Sequence, residues 1–334
     1  MVTVSDVAKR ANVSRATAAR VLGGYAGAHS RTSERVMQAA RELGYLPNQF
    51  ARSLAKGRSY RIGVLIPDFE NLFFARLFRG IETICRQADY KVLLGITGED
   101  EEREHELLLD MLEEQVEGII IAPTCGLRKE SSRTLPVPLV SVDRIPVALT
   151  TEWNWVSMNN YESAQEVVLH LIKQGYRDIL PMTNLPHLSS MRERFEGFTL
   201  ALAWQELPLR PGLTTSSYQL DVITSEVEEF LRHHTPDAIV AMDSILATAV
   251  VTVTQRLGIT LGEDMGLVAY DDEPWMSLVQ PQITTVAQPV VEMGECSARI
   301  LLDLMKTPTT APKHERLAAR LIMRNSTTRK EHVR

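Results

Sequence analysis

From Arg61 onward the chain alternates short apolar, β-rich runs with helical stretches, and this alternation restricts its fold more than any other feature. "RIGVLIP" (61–67), "YKVLLGIT" (90–97), "VEGIIIAP" (116–123) and "VPLVSVDR" (137–144) open the series. After "WVSMNN" it restarts, with "DAIVAMD", "MGLVAYDD" and "ITTVAQP", and closes on a helix from about Val290 to Met305. Runs that are apolar at every position are strands covered on both faces, as parallel sheets flanked by helices provide. The length of the region predicts two doubly wound lobes instead of one. Ligands in such sheets lie beyond the carboxyl ends of the strands. Asp68, Phe73 and Phe74 follow the first strand, Asp143 and Arg144 follow "LVSV", Asp243 follows "IVAM" and Asp271 follows "LVAY". The two phenylalanines could face such a ligand or belong to the core, and Asp272 and Glu273 could cap the next segment.

The first 46 residues read as three short helices. Thr3-Val4-Ser5-Asp6 has the form of a capping box, so Thr3 starts a helix that runs to about Ala11. Ser14 can accept the free amides of a second helix, Arg15 to Leu22, and a third spans about Ser33 to Leu43 before Gly44. Helix, tight turn and second helix predict a helix-turn-helix whose second helix enters the major groove by its N-terminal end. That places Arg15, Ala16 and Thr17 at base edges, with Arg20 further along for a base or a phosphate. Arginine binds guanine through two parallel hydrogen bonds. A positive side chain at a helix start is mildly unfavourable, and makes sense if an anionic duplex approaches.

Charge supports this division. The chain has a formal net charge of −6, with 36 Lys and Arg against 42 Asp and Glu. Residues 1–61 hold eleven of the basic residues and only three of the acidic ones, Asp6, Glu34 and Glu42. A basic head on an acidic body is expected of a module that binds a polyanion. No apolar run reaches membrane-spanning length and the N-terminus lacks signal-peptide form, so a cytoplasmic protein without membrane contact is expected. Cys85, Cys125 and Cys296 lie far apart in apolar segments and read as buried free thiols. No Gly-x-Ser-x-Gly elbow, P-loop or Gly-x-Gly-x-x-Gly occurs. The histidine pair His233-His234 and the acidic run "GEDEEREHE" (98–106) read as solvated helix surface. No catalytic residues, metal ligands or cofactor are expected.

The order "VSDVAKRANVSRATAARVLGG…GYLPN…ARSLAKG…IGVLIPD" resembles the lac-repressor (LacI/GalR) family of bacterial transcription regulators, from residue 2 to about residue 322. The resemblance implies a helix-turn-helix at 1–46, a hinge helix and linker at 47–60, and a two-lobed body at 61–324 similar to periplasmic sugar-binding proteins. The N-terminal lobe would take residues 61–159 and 290–320, the C-terminal lobe 160–288 and 321–324, leaving 325–334 as a tail. It also implies DNA contacts from Thr3, Ser14, Arg15, Ala16, Thr17, Arg20, Asn48, Arg52, Leu54, Ala55 and Lys56. Leu54 would be wedged into the minor groove by paired hinge helices. Effector contacts would come from Asp68, Phe73, Phe74, Asp143, Arg192, Arg194, Asp243 and Asp271. Met242 stands where many family members carry asparagine. Met242 together with Arg192 and Arg194 favours a sugar acid over a neutral sugar or a sugar phosphate. The expected activity is a homodimeric repressor of a carbohydrate or sugar-acid operon, released from a pseudo-palindromic operator by its effector. A corepressor-dependent regulator and a sugar-binding protein without a DNA role are the alternatives.

Overall fold

A computed structural model describes residues 2–23, 31–45, 58–124, 135–145, 153–307 and 311–329. Asn48, Arg52, Leu54, Ala55, Lys56 and Cys125 lie outside the described residues. The chain forms two compact units, Met1–Arg61 and Ile62–Arg334.

The first unit holds α1 (Val4–Arg10), α2 (Arg15–Leu22) and α3 (Arg31–Glu42). The capping box is formed: the Thr3 amide donates to Asp6 Oδ2 at 2.8 Å, and the Asp6 amide donates back to Thr3 Oγ1 at 3.4 Å. Ser14 Oγ accepts the Thr17 amide at 3.0 Å. The turn between α1 and α2 passes through Asn12 at φ 51°, a left-handed conformation that asparagine tolerates better than most residues. Val7, Ala8, Ala18, Val21, Leu22, Val36, Ala39 and Ala40 make a small core whose alanines let three short helices approach closely. Arg35 reaches across from α3 to the Ala11 carbonyl at 2.5 Å, and Arg10 pairs with Glu42 at 2.6 Å. Part of the basic charge therefore braces the head, leaving Arg15 and Arg20 exposed on the outer face of α2.

The second unit contains two six-stranded sheets. In chain order its first lobe is built from β1 (Arg61–Ile66), α4 (Leu72–Gln87), β2 (Lys91–Ile96), α5 (Glu101–Glu113), β3 (Ile119–Ile121), β4 (Leu139–Val142) and β5 (Asn154–Met158). The chain then enters the second lobe, with α6 (Asn160–Lys173), β6 (Ile179–Asn184), α7 (Ser189–Trp204), β7 (Leu213–Thr215), α8 (Leu220–His233), β8 (Ala238–Ala241), α9 (Ser244–Leu257), β9 (Gly266–Tyr270) and β10 (Thr284–Ala287). It returns to the first lobe for α10 (Val290–Lys306) and β11 (His314–Leu317), and crosses once more to β12 (Arg320–Ile322). The strand orders are β11-β5-β4-β3-β1-β2 and β12-β10-β9-β8-β6-β7. Both lobes thus repeat one doubly wound order, with the switch point between their first and third strands.

Glycines set the closest helix packing. A Cβ on Gly80 of α4 would lie 2.2 Å from the Val291 carbonyl, and one on Gly294 of α10 would lie 2.2 Å from the Leu77 carbonyl. In the second lobe, Gly197 of α7 meets the Tyr161 carbonyl of α6 in the same way.

Residues 325–329, read from sequence as part of a tail, instead close the bottom of the second lobe. Ser326 Oγ donates to the Leu267 carbonyl at 2.6 Å and accepts the Thr284 amide at 2.8 Å. Thr327 Oγ1 bonds His170 Nε2 at 2.9 Å. The polar composition of "NSTT" hides this because every inward hydroxyl is satisfied there. Cys85 is fully buried, and burial pushes its thiol up to about 12, whereas Cys296 is only partly buried.

Candidate functional site

The carboxyl ends of both sheets face one cleft of about 330 Å3, near the lower end of the ~300–1,000 Å3 range typical of small-molecule sites. Asp68, Asn71, Phe73, Phe74, Glu99, Asp143 and Arg144 line it from the first lobe. Ser190, Met191, Arg194, Tyr218, Asp243 and Asp271 line it from the second, with Gln288 on the connection between lobes. Asp143 and Asp271 occupy equivalent places: each follows a strand, has φ near +68° or +67°, and donates its amide to the neighbouring strand. Left-handed backbone at non-glycine residues costs energy and persists where the surroundings hold it, as they often do at functional sites.

Arg194 is the hub of the second-lobe wall. It is 3% exposed; Nε donates to Asn160 Oδ1 at 2.8 Å and Nη1 to the Met242 carbonyl at 2.6 Å. Its guanidinium sits 4.2 Å from the centre of the Tyr270 ring. Asp243 caps α9 by accepting the Ile245 and Leu246 amides and also accepts Asn184 Nδ2 at 2.8 Å. Asp271 accepts Gln288 Nε2 at 2.7 Å. Burial raises the Asp143, Asp243 and Asp271 carboxyls, Asp271 to about 7, against the attraction of Arg194.

The first-lobe wall is organised by Arg144. Its Nη1 and Nη2 donate to Glu99 Oε2 and Oε1 at 2.7 and 2.6 Å, and Nη1 also reaches the Pro123 carbonyl. Burial opposes the Arg144 charge, and the Glu99 carboxylate overrides that, so its pKa rises.

Seven of the eight sequence-derived effector residues therefore meet in this cleft. Arg192 does not: it is partly exposed on α7 beside Glu196, two residues before the inward-facing Arg194 and so on another side of the helix. Met242 is also displaced from its expected role, because its side chain is fully buried in the core and only its carbonyl serves the site, by holding Arg194. Phe73 and Phe74 are both core and cleft wall, packed edge to face at 5.0 Å. Asp272 does not cap the next segment; it pairs with Arg324 at 2.7 Å. Glu99 and Tyr218 escaped the reading, the first inside an acidic run and the second three residues beyond a three-residue strand. Applying the strand-end rule to β2 and β7 would have found both.

The acidic run is not all solvated surface. Glu104 is 3% exposed, and its Oε2 accepts the Thr124 amide at 2.7 Å. Burial pushes it from 4.5 up to about 7. The folded state then holds this proton more tightly than the unfolded chain, so stability falls as pH rises from about 4.5 to about 7 and is level above. Glu104→Gln keeps an acceptor for Thr124 and removes the titration. Urea midpoints will show the variant ~1–3 kcal/mol more stable than the parent at pH 8 and no more stable at pH 4.

Residues 3–48 match the lacI family of bacterial regulatory proteins, and residues 168–327 match a periplasmic binding protein-like domain. The regulator PtxS of Pseudomonas putida is 33% identical over 98% of this chain and 96% of its own length. The chain belongs to the lacI family. It is a DNA-binding transcriptional regulator that responds to a small molecule, and like the rest of its family it is not an enzyme. The ribose operon repressor of Bacillus subtilis is 32% identical over 99% of this chain and all of that one. The fold is shared with the lac repressor dimer bound to operator and an anti-inducer, with a TM-score of 0.85 at 23% identity over 98% and 99% of the two chains. Among the described residues of this lacI-family regulator, no helix is long and apolar enough to cross a membrane, and no His, Cys, Asp and Glu cluster is set to hold a metal ion.

Proposed function

We propose that this regulator is a cytoplasmic, homodimeric repressor of a carbohydrate-utilisation operon, released from a pseudo-palindromic operator when a neutral sugar binds between its lobes. The observation that carries the choice of effector is the charge of the cleft: Asp68, Glu99, Asp143, Asp243 and Asp271 share it with two arginines, Arg144 with both terminal nitrogens on Glu99 and Arg194 with Nε and Nη1 engaged. Carboxylates accept hydrogen bonds from sugar hydroxyls, whereas a sugar acid or sugar phosphate would enter against them. Of the three residues that favoured a sugar acid, Arg192 and Met242 do not line the cleft, and Arg194 does. The name of the ribose operon repressor of Bacillus subtilis agrees with a neutral sugar. Phe73 and Phe74 supply the apolar face that a sugar ring stacks on. Calorimetric titration with D-ribose, D-glucose, D-gluconate and ribose 5-phosphate tests this reading. Heat from a neutral sugar supports it, and heat only from an anion overturns it.

The ligand shifts the DNA equilibrium only through its different affinity for the two lobe arrangements. On DNA, Arg15, Ala16 and Thr17 read base edges, with Arg20 beside them; Thr3 and Ser14 lie by the backbone; and Asn48, Arg52, Leu54, Ala55 and Lys56 form the hinge contacts. Arg15→Ala will cost ~1–3 kcal/mol on the preferred duplex and relax the choice of one base pair, while weakening a scrambled duplex far less. Fluorescence anisotropy on both duplexes reads the difference.

A further inference from the structure

We propose that the Glu99–Arg144 ion pair sets the charge selectivity of the cleft, with Glu99 acting as a built-in occupant of the guanidinium that would otherwise capture an anionic effector. This rests on the neutral-sugar reading above and names the residue that enforces it.

The pair is shaped for that role. Both terminal nitrogens of Arg144 are taken by the two oxygens of Glu99 in the parallel geometry with which arginine binds carboxylates. The Arg144 side chain is 6% exposed and that of Glu99 17%, so the pair is set into the cleft wall and only its carboxylate edge is partly open. Arg144 Nε makes no hydrogen bond and lies 3.5 Å from Asp143 Oδ2, while the guanidinium rests 5.8 Å from the Phe74 ring centre. Glu99 is delivered by an unusual backbone path. Gly98 and Glu99 both adopt left-handed conformations, φ 67° and 61°, after the Thr97 and Gly98 amides have been tied to the Ile66 and Pro67 carbonyls. A non-glycine residue held at such a φ is uncommon, and here it turns a carboxylate back onto Arg144. Arg194, the other arginine of the cleft, has Nε and Nη1 taken by Asn160 and the Met242 carbonyl, which leaves Nη2 alone to meet a ligand. An entering carboxylate must therefore displace Glu99 to be held by two parallel hydrogen bonds from one guanidinium, whereas a neutral sugar can hydrogen-bond to the pair as it stands.

The test is calorimetric titration of the full-length protein and Glu99→Gln with D-ribose, D-glucose and D-gluconate, alongside melting curves. The expected result is that the parent binds a neutral sugar. Glu99→Gln then gains at least ~10-fold in gluconate affinity, as a freed charge-assisted hydrogen bond allows, while its neutral-sugar affinity falls by a smaller factor. The double variant Glu99→Gln with Arg144→Gln loses that gain, which a merely structural pair would not predict. If Glu99→Gln does not fold, Glu99→Asp, which keeps the charge but shortens the reach, is read in the same titrations and shows a smaller gain. A neutral-selective parent whose folded Glu99 variants stay equally selective overturns the ion-pair proposal alone. A parent that already prefers gluconate overturns the neutral-sugar reading and this proposal with it.

Discussion

Arg194→Ala abolishes the response to sugar and lowers the melting temperature of the two-lobed unit, while non-specific DNA binding by the head persists. The residue is buried, holds Asn160 and the Met242 carbonyl, and lies against Tyr270. Its charge offsets Asp143, Asp243 and Asp271, all of which burial already pushes toward the protonated form. Removing one partner from a buried charged cluster costs ~3–5 kcal/mol, because the remaining charges keep their desolvation cost without compensation. For a unit of this size that is a fall of roughly 10 °C. The carboxyls also take up protons more readily, so the loss is larger at pH 8 than at pH 5. Arg194→Lys keeps the charge but cannot reach both acceptors with a planar fork, and falls between. Calorimetry at both pH values, with operator anisotropy, checks each part; a variant that melts with the parent and still responds to sugar contradicts the assignment.

The second large effect belongs to a residue with no chemistry. Gly294→Ala brings a methyl group to 2.2 Å from the Leu77 carbonyl and 3.1 Å from the Ile81 nitrogen. Alanine is the better helix former by ~0.5–1 kcal/mol, so propensity alone favours the variant. The obstacle is backbone, which cannot rotate aside, and overpacking of this kind costs ~1–3 kcal/mol or more. The clash wins, and α4 and α10 must separate. Gly258→Ala is the control: its φ is 70° and nothing lies within 4 Å of the added Cβ, so it bears only the left-handed penalty of ~1–2 kcal/mol. Urea unfolding should rank Gly294→Ala as the more damaging, and the reverse ranking would mean that the helix crossing relaxes freely.

Features with a local physical signature were legible in the sequence. The caps at Thr3 and Ser14 are short-range hydrogen-bond patterns, and the apolar strands announced a doubly wound body with aspartates at its strand ends. What escaped were features decided by rotation about a helix or by a backbone turn. Arg192 and Arg194 are two residues apart and so point to different sides of α7, yet composition cannot say which points inward. Met242 and Asp243 divide in the same way, one into the core and one into the cleft. Glu99 and Glu104 lie in a run that looks uniformly solvated, because a left-handed turn and a buried amide are not written in charge. The hydroxyls of 325–327 looked like a tail for the same reason: their partners are far away in sequence.

Sequence reading by the head and its control by the cleft are open to one measurement. Selection of bound sequences from a random duplex pool, with and without D-ribose and D-glucose, measures both at once. A palindrome recovered without sugar and lost when sugar is present is the predicted result. A palindrome recovered only in the presence of sugar, or no palindrome under either condition, would contradict it.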